Sequence, residues 1–493
     1  MSTVLAIDAG TTGVTALVVA PDGSVVSRGY SEFTQRFPRP GWVEHEPEDI
    51  WSALLSACRE AVDGSPRSPV AVGITNQRET AVLWDRSSLR APRPAIVWQD
   101  RRTAGICARL GGAGHEDRVR ALTGLRLDPY FTATKLTWLA EQDERAWAGV
   151  VDGTVAVGTV DSYVVARLTA GAQHVTDPSN ASRTLLYDLE AGGWSDELCE
   201  LFGVPVSALP SIVPSSGVLG HTDPGAFLGL DLPIAGIAGD QQAALFGQAC
   251  YTDGQSKCTY GTGSFVLANT GRTPVRSSAG LLTTVAWDLG DGPVFALEGA
   301  IFVTGAAVQW LRDGLGLIDR AAEIEGLAAT VTDSGGVYFV PALTGLGAPD
   351  WDPDARGVIV GITRGTTRAH LARATLEAIT FEVRDVVDVM VADAGIAVPE
   401  LSADGGASAN DLLCQLQADQ LGVPVRRPVV TETTALGAAF LAGLAVGVWS
   451  STEELAATWQ EDRRFTPVDG VREDGRHARW REAVSRSLAW AAG

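Results

Sequence analysis

Asp8-Ala9-Gly10-Thr11-Thr12-Gly13 leaves a short apolar segment with one carboxylate, two hydroxyls and two glycines in a tight space. Glycines let backbone approach a ligand closely, and turn N–H groups with hydroxyls make an anion cradle. A carboxylate repels a phosphate, so Asp8 needs a cation between them, and Mg2+ prefers such carboxylates plus water. The same residues could equally form an ordinary hairpin with an Asx turn. Gly261-Thr262-Gly263 is a second turn of this kind, in the other half of the chain. Two phosphate-type turns on two halves suggest a nucleotide held across a cleft. Asp404-Gly405-Gly406-Ala407-Ser408-Ala409-Asn410 opens a helix, where glycines admit a flat or anionic group. A helix cap with loop glycines would look the same, and neither a Walker A pattern nor the full Rossmann glycine pattern occurs.

Asp240 lies between the apolar segment ending Ile237-Ala238-Gly239 and the helical run Gln241-Gln242-Ala243-Ala244. It could be a helix N-cap, worth about 1 kcal/mol, or a general base on a substrate hydroxyl. Gln241 and Gln242 suit hydrogen bonding to a polyol, and equally plain solvation. Arg78-Glu79 follows a strand end, where α/β proteins bind ligands, and one donor fork beside one acceptor can bracket a small polyhydroxy compound. A surface ion pair is the alternative. Trp98 and Tyr130 flank loops in the same half, as core aromatics also do. The six histidines show no HxxxH or HExxH spacing, and there is no GxSxG nucleophile turn.

The elements that position these residues follow from hydrophobic periodicity. Val4–Ile7, Val14–Ala20 and Ser24–Ser27 read as strands, the last two joined at Pro21-Asp22-Gly23. Residues 49–62 predict a helix, with Trp51, Leu54, Leu55 and Cys58 on one face, and Val70–Thr75 a further strand. Strand, Gly/Thr turn, strand then recurs at Lys257–Tyr260 and Phe265–Asn269. Helices are expected near 300–314, 369–393, 410–421 and 433–447. The class is α/β, in two domains of related topology, 1–245 and 246–493, joined near residues 240–255.

Composition bounds the function. The 493 residues are 45% hydrophobic and 20% charged, which is globular rather than disordered. A net charge of −21 argues against nucleic acid or an anionic membrane as the main partner, since both need a basic face. Six scattered cysteines without a CxxC pair read as reduced and intracellular, with neither a disulfide frame nor a zinc site. No secretory signal opens the sequence. The apolar stretch Ala435–Trp449 carries three glycines and is too short to span a bilayer, so it reads as a buried helix.

With these motifs in hand, the chain resembles the FGGY family of carbohydrate kinases, within the actin-like ATPase superfamily, and among them the glycerol kinases. The resemblance rests on NQRET (76–80), YFTATKLTWLAEQ (130–142), TDPSNASRTLL (176–186), GIAGDQQAALFGQ (236–248) and ALEGAIFVTGAAVQWLRD (296–313). PALTGLGAPDWDPDARG (341–357), GVIVGITRGTTRAHLARATLE (357–377) and ETTALGAAFLAGLAVG (432–447) extend it to residue 449. It implies two ribonuclease-H-like domains around a deep cleft, an N-terminal one for glycerol and phosphate and a C-terminal one for the nucleotide. The activity implied is ATP-dependent phosphorylation of glycerol to sn-glycerol 3-phosphate, with Mg2+, in a cytoplasmic homodimer or homotetramer. Asp240 would be the base. Arg78, Glu79, Tyr130, Asp240 and Gln241 would hydrogen-bond glycerol, with Trp98 and Phe265 against its carbons. Thr11, Thr12 and Gly13 would meet the ATP phosphates, with Asp8 at the metal. Thr262, Gly305, Gln309, Gly406 and Asn410 would hold the nucleotide.

The sequence departs from the family pattern in places. Gly13-Val14-Thr15 replaces Ser-Ser-Arg, so a phosphate-side arginine is missing at Thr15. Residues 225–233, GAFLGLDLP, lack the glycine- and arginine-bearing loop that binds fructose 1,6-bisphosphate in enterobacterial relatives. They also lack the histidine that the sugar phosphotransferase carrier phosphorylates in others. Two other readings remain: a kinase for another polyol or ketose, and a non-catalytic nucleotide-binding sensor. The Arg78-Glu79 pair with Trp98 argues against the first. Retention of Asp8 and Asp240 argues against the second.

Overall fold

In the computed structural model, which describes residues 2–491, two mixed sheets form the two halves. The N-terminal sheet runs, from edge to edge, Ser216–His221, Pro233–Gly239, Pro69–Asn76, Thr3–Ala9, Gly13–Val19 and Val25–Glu32. The C-terminal sheet runs Leu282–Asp288, Pro293–Ile301, Ser264–Gly271, Ser256–Tyr260, Leu401–Asp404, Val425–Pro428 and Glu461–Phe465. Each contains the same nucleus. An antiparallel meander of three strands continues, beyond its first strand, into two parallel ones. The related topology expected from the two Gly/Thr turns is therefore built into both sheets.

Local sequence accounts for most element ends. The helix Pro47–Asp63 starts with proline at its first turn and Glu48 and Asp49 against the helix dipole, and it buries Ile50, Trp51, Leu54 and Cys58. The helix Arg368–Ala394 opens on a Thr367–His370 capping box and stops at Gly395, φ 63°. One expectation is corrected. Residues 300–301 finish the strand Pro293–Ile301, and the helix begins only at Gly305 and ends at Asp313. A strand buried on both faces reads as a continuous apolar run, which periodicity cannot separate from a buried helix. The third strand also begins later and runs longer than expected, over Val25–Glu32.

Each half has its own core, and a third cluster joins them. Its centre is the helix Thr433–Ala445, the apolar stretch read as buried, which lies across the N-terminal sheet. A Cβ at Gly73 would sit 2.0 Å from Ala438 O, and one at Gly437 would sit 1.8 Å from Ala243 O. Only glycine permits approach this close. No helix among the described residues is long and apolar enough to cross a membrane. All six cysteines are buried free thiols.

His45, fully buried, makes acid stability measurable. Burial pulls its pKa from 6.5 down to about 4, and burial does the same to His174. Between those values the unfolded chain binds protons that the folded one refuses. Stability is therefore fully present above pH 6.5 and is lost as pH falls toward 4, by roughly 2–3 kcal/mol for His45. Urea unfolding of wild type and His45→Gln at pH 7 and pH 4.5 is expected to show a shallower acid loss in the variant. Equal slopes would remove His45 from the account.

Candidate active site

A polar wall is set by register. Ala9, Asn76 and Gly239 lie in one row at the carboxyl ends of three adjacent parallel strands. Asp8, Arg78-Glu79 and Asp240 are thereby brought side by side, at the sheet end where α/β proteins bind ligands. Gly239 is the N-cap of the helix Asp240–Gly247, so Asp240 takes the first helical position and its side chain does not cap. Its carboxylate lies 3.0 Å from Arg78 Nε, and Oδ1 also accepts from Gln241 N at 2.7 Å. About 28% of the Asp240 side chain is exposed, so a ligand can reach it, whereas Glu79 beside it is buried.

Behind it stands a buried charge network. Arg78 donates to both oxygens of Glu298, at 2.5 and 3.1 Å, to Gln242 Oε1 at 3.1 Å and to Tyr130 Oη at 3.3 Å. Arg183 donates to Glu79 Oε1 at 2.7 Å and to Glu298 Oε1 at 2.9 Å. Burial alone would raise the Glu298 pKa, but Arg183 and Arg78 hold it down to about 2. Glu79 moves the other way, because burial outweighs its two arginines. Its backbone has φ 61°, unusual for a side-chain-bearing residue and worth about 1 kcal/mol or more in strain. Thr132 Oγ1 on Glu79 O and Arg183 on Glu79 Oε1 hold that conformation.

Arg183 and Glu298 were not singled out from sequence, though both lie inside segments that carried the resemblance. Gln242, read beside Gln241 as able to bind a polyol, instead accepts from Arg78. An isolated Glu in the apolar run ALEGAIF is a readable signal, since a buried charge must be paired. Nothing in the sequence told which arginines would pair with it.

The aromatic walls come together as well. Trp98 meets Tyr130 edge-on at 5.7 Å between ring centres, and Phe265, from the C-terminal sheet, at 6.4 Å. Trp98 Nε1 donates to Thr11 Oγ1 at 2.9 Å, which ties this wall to the first Gly/Thr turn. That turn closes through Gly10 N on Gly13 O, and Gln77 Nε2 donates to Gly10 O. Thr12 is exposed, and Thr15 is the register partner of Asp8. Burial first, and then the charge of Asp240, raise the Asp8 pKa to about 7.

A cavity of about 360 Å³ lies on the C-terminal half, lined by Thr262, Gly305, Gln309, Gly406 and Asn410. Leu376, Ile379 and Leu413 give it apolar surface suited to a flat ring. Gly405 has φ 82°, and a Cβ there would meet Tyr260 O at 2.6 Å, whereas a Cβ at Gly406 would meet nothing within 4 Å. The first glycine is needed by the turn, and the second leaves room for a ligand. Asn410 caps the helix Asp411–Leu421 by accepting from Leu413 N, and still lines the cavity. A second cavity, about 620 Å³, is lined by Trp98, Tyr130 and Phe265. Thr262 lines both, so the two meet at the Gly261–Gly263 turn. Thr11, Thr12 and Gly13 line neither.

Two sheets of one topology, a polar wall on one half and a cavity on the other define a two-domain sugar-kinase architecture. The chain belongs to the FGGY family of carbohydrate kinases, whose N-terminal domain matches residues 3–247 and C-terminal domain residues 256–446. It is 53% identical to glycerol kinase 2 of Thermotoga maritima, over 99% of both chains. It is 55% identical to glycerol kinase of Dechloromonas aromatica, over 99% of this chain and 98% of that one. Among solved structures, Plasmodium falciparum glycerol kinase with ADP superposes with a TM-score of 0.92 at 34% identity, covering 99% of this chain and 98% of that one.

Proposed function

We infer that this protein transfers the γ-phosphoryl group of ATP to glycerol. The observation that carries the reading is the acceptor wall, Arg78, Glu79, Tyr130 and Asp240, in a chain more than half identical to glycerol kinases along its whole length. Erythritol, xylulose and ribulose are the competing acceptors. A coupled assay of ADP release with Mg-ATP and each of the four is expected to favour glycerol by orders of magnitude. A ketose preferred over glycerol would overturn the substrate, and release with none of them would overturn the activity.

Phosphoryl transfer runs in line through a loose transition state with charge spread over the transferred group. Asp240 orients one terminal hydroxyl and accepts its proton as the bond to phosphorus forms. Glu79 Oε2, which has no hydrogen-bond partner among the described residues, can accept from a second hydroxyl. The four N–H groups on the terminal nitrogens of Arg78 have protein acceptors, and its Nε lies 3.0 Å from Asp240 Oδ1, the side from which a glycerol oxygen can approach it. Trp98 and Phe265 cover the carbons. The cavity around Thr262, Gly305, Gln309, Gly406 and Asn410 takes the nucleotide, and Thr11, Thr12 and Gly13 take its phosphates. Water competes with glycerol for the phosphoryl group, so closure of the two halves over the substrates is part of the reading.

The residues fit Mg2+. A carboxylate with pKa raised to about 7 beside a second carboxylate is relieved by a cation, and Mg2+ needs only one or two carboxylates when phosphates and water complete its shell. Asp8 would hold it, and its charge would offset that of the migrating phosphoryl group. The division at 245/246 into a glycerol and phosphate half and a nucleotide half, a cytoplasmic location and a homodimer or homotetramer complete the proposal. Light scattering of the purified chain tests the assembly.

Residues 221–233 support an enzyme without bisphosphate control. Phe227 and Leu232 are buried in the N-terminal core, Leu228 and Leu230 pack against it, and His221 pairs with Asp231 at 2.8 Å. The segment contains no Lys or Arg to pair with a phosphate. Initial velocity at sub-saturating glycerol is expected to be unchanged by millimolar fructose 1,6-bisphosphate or by the histidine-phosphorylating carrier. Inhibition lost on altering residues 221–233 would refute this.

A further inference from the structure

Lys257, on the strand Ser256–Tyr260 of the C-terminal sheet, is fully buried. Its Nζ donates to Gln241 Oε1 at 2.5 Å, to Thr259 Oγ1 at 2.8 Å and to Phe265 O at 3.4 Å. An ammonium has three N–H donors and no acceptor, and here it meets three acceptors. Burial lowers its pKa, while the charges of Asp404, Asp240 and Glu298 work against that. Of its three partners, Phe265 lines the second cavity and Gln241 directly follows Asp240, and these two come from opposite halves of the molecule.

The consequence is in the amide of Gln241. A glutamine side chain can present either end, and its neighbours decide which. Facing an ammonium it must present oxygen, so its NH2 group is turned away from Lys257. Gln241 is 6% exposed, directly follows Asp240, and its Nε2 has no hydrogen-bond partner among the described residues. A nearly buried amide donor left without a protein partner, beside the candidate base, points to a ligand. We propose that Lys257 is a positioning residue for the acceptor alcohol: it fixes the Gln241 amide so that Nε2 donates to a glycerol hydroxyl oxygen. The contact spans the two halves, so the pocket gains this donor only when the C-terminal half is seated against the N-terminal one. This role rests on the reading of the activity as glycerol phosphorylation.

The test is a double-mutant cycle on the full chain, read as KM for glycerol and KM for ATP. Lys257→Met keeps length and removes the charge. It is expected to raise KM for glycerol about tenfold and leave KM for ATP within about twofold. Gln241→Leu is expected to do the same, and the double variant to be no worse than Gln241→Leu alone, because Lys257 acts through that amide. A folded Lys257→Met with wild-type KM for glycerol, or two losses that multiply, would overturn the role. Should Lys257→Met fail to fold, Gln241→Glu decides with Lys257 intact. It pairs with the ammonium and keeps the shape, but has no N–H to give, so wild-type glycerol binding by it would overturn the role. Absence of glycerol-dependent ADP release from the wild type would overturn the activity and this role with it. Wild-type turnover with an unaffected Lys257→Met would overturn the role alone.

Discussion

Asp240→Asn is expected to lower kcat by about 10²–10⁴-fold, with the fold and the KM for ATP retained. The substitution keeps the oxygen that faces Arg78 Nε and Gln241 N, so the local geometry survives. What is lost is the proton acceptor. The structure strengthens the case for catalysis over capping, because Gly239 fills the N-cap position and leaves the Asp240 carboxylate to the cleft. Steady-state rates, with thermal melting as a check on folding, settle the matter. A folded Asp240→Asn turning over at near the wild-type rate would remove Asp240 from the mechanism.

Arg78→Ala is expected to do two things at once. It removes the donor fork of the acceptor wall, so KM for glycerol rises strongly while KM for ATP changes little. It also strips Glu298, a carboxylate with no exposure, of two of its three charged hydrogen bonds. Leaving a buried charge underpaired costs about 3–5 kcal/mol, whereas a neutral isostere of the carboxylate costs far less. Adding Glu298→Gln to Arg78→Ala is therefore expected to recover much of the lost stability and none of the glycerol binding. Urea midpoints and KM values for wild type, single and double variants separate the two effects. Normal glycerol KM in the double variant would place Arg78 outside the acceptor site, and an unchanged midpoint in Arg78→Ala would show that Glu298 does not need it.

The sequence by itself determined what is local. The two Gly/Thr turns, the glycines before Asn410, the strand ends carrying Asp8, Arg78-Glu79 and Asp240, and the buried character of Thr433–Ala445 were all legible, because turn chemistry and hydrophobic period act over a few residues. Those signals fixed the α/β class and the repeated topology, while the family and its activity came from the length and order of the matching segments. Only the tertiary structure decided pairings between residues far apart in the chain. Sequence showed an Asp before a helix, and register in the sheet turned its carboxylate toward Arg78 rather than into a cap. Glu298 and Arg183 were not read from sequence, and packing the two halves together made them partners of Arg78 and Glu79. Lys257 carried no signal at all, because the direction of an ammonium is set by which acceptors the second sheet brings to it. The run 300–301 misled for the related reason that a strand buried on both faces and a buried helix share one composition, and only its pairing with Ser264 and Phe265 tells them apart.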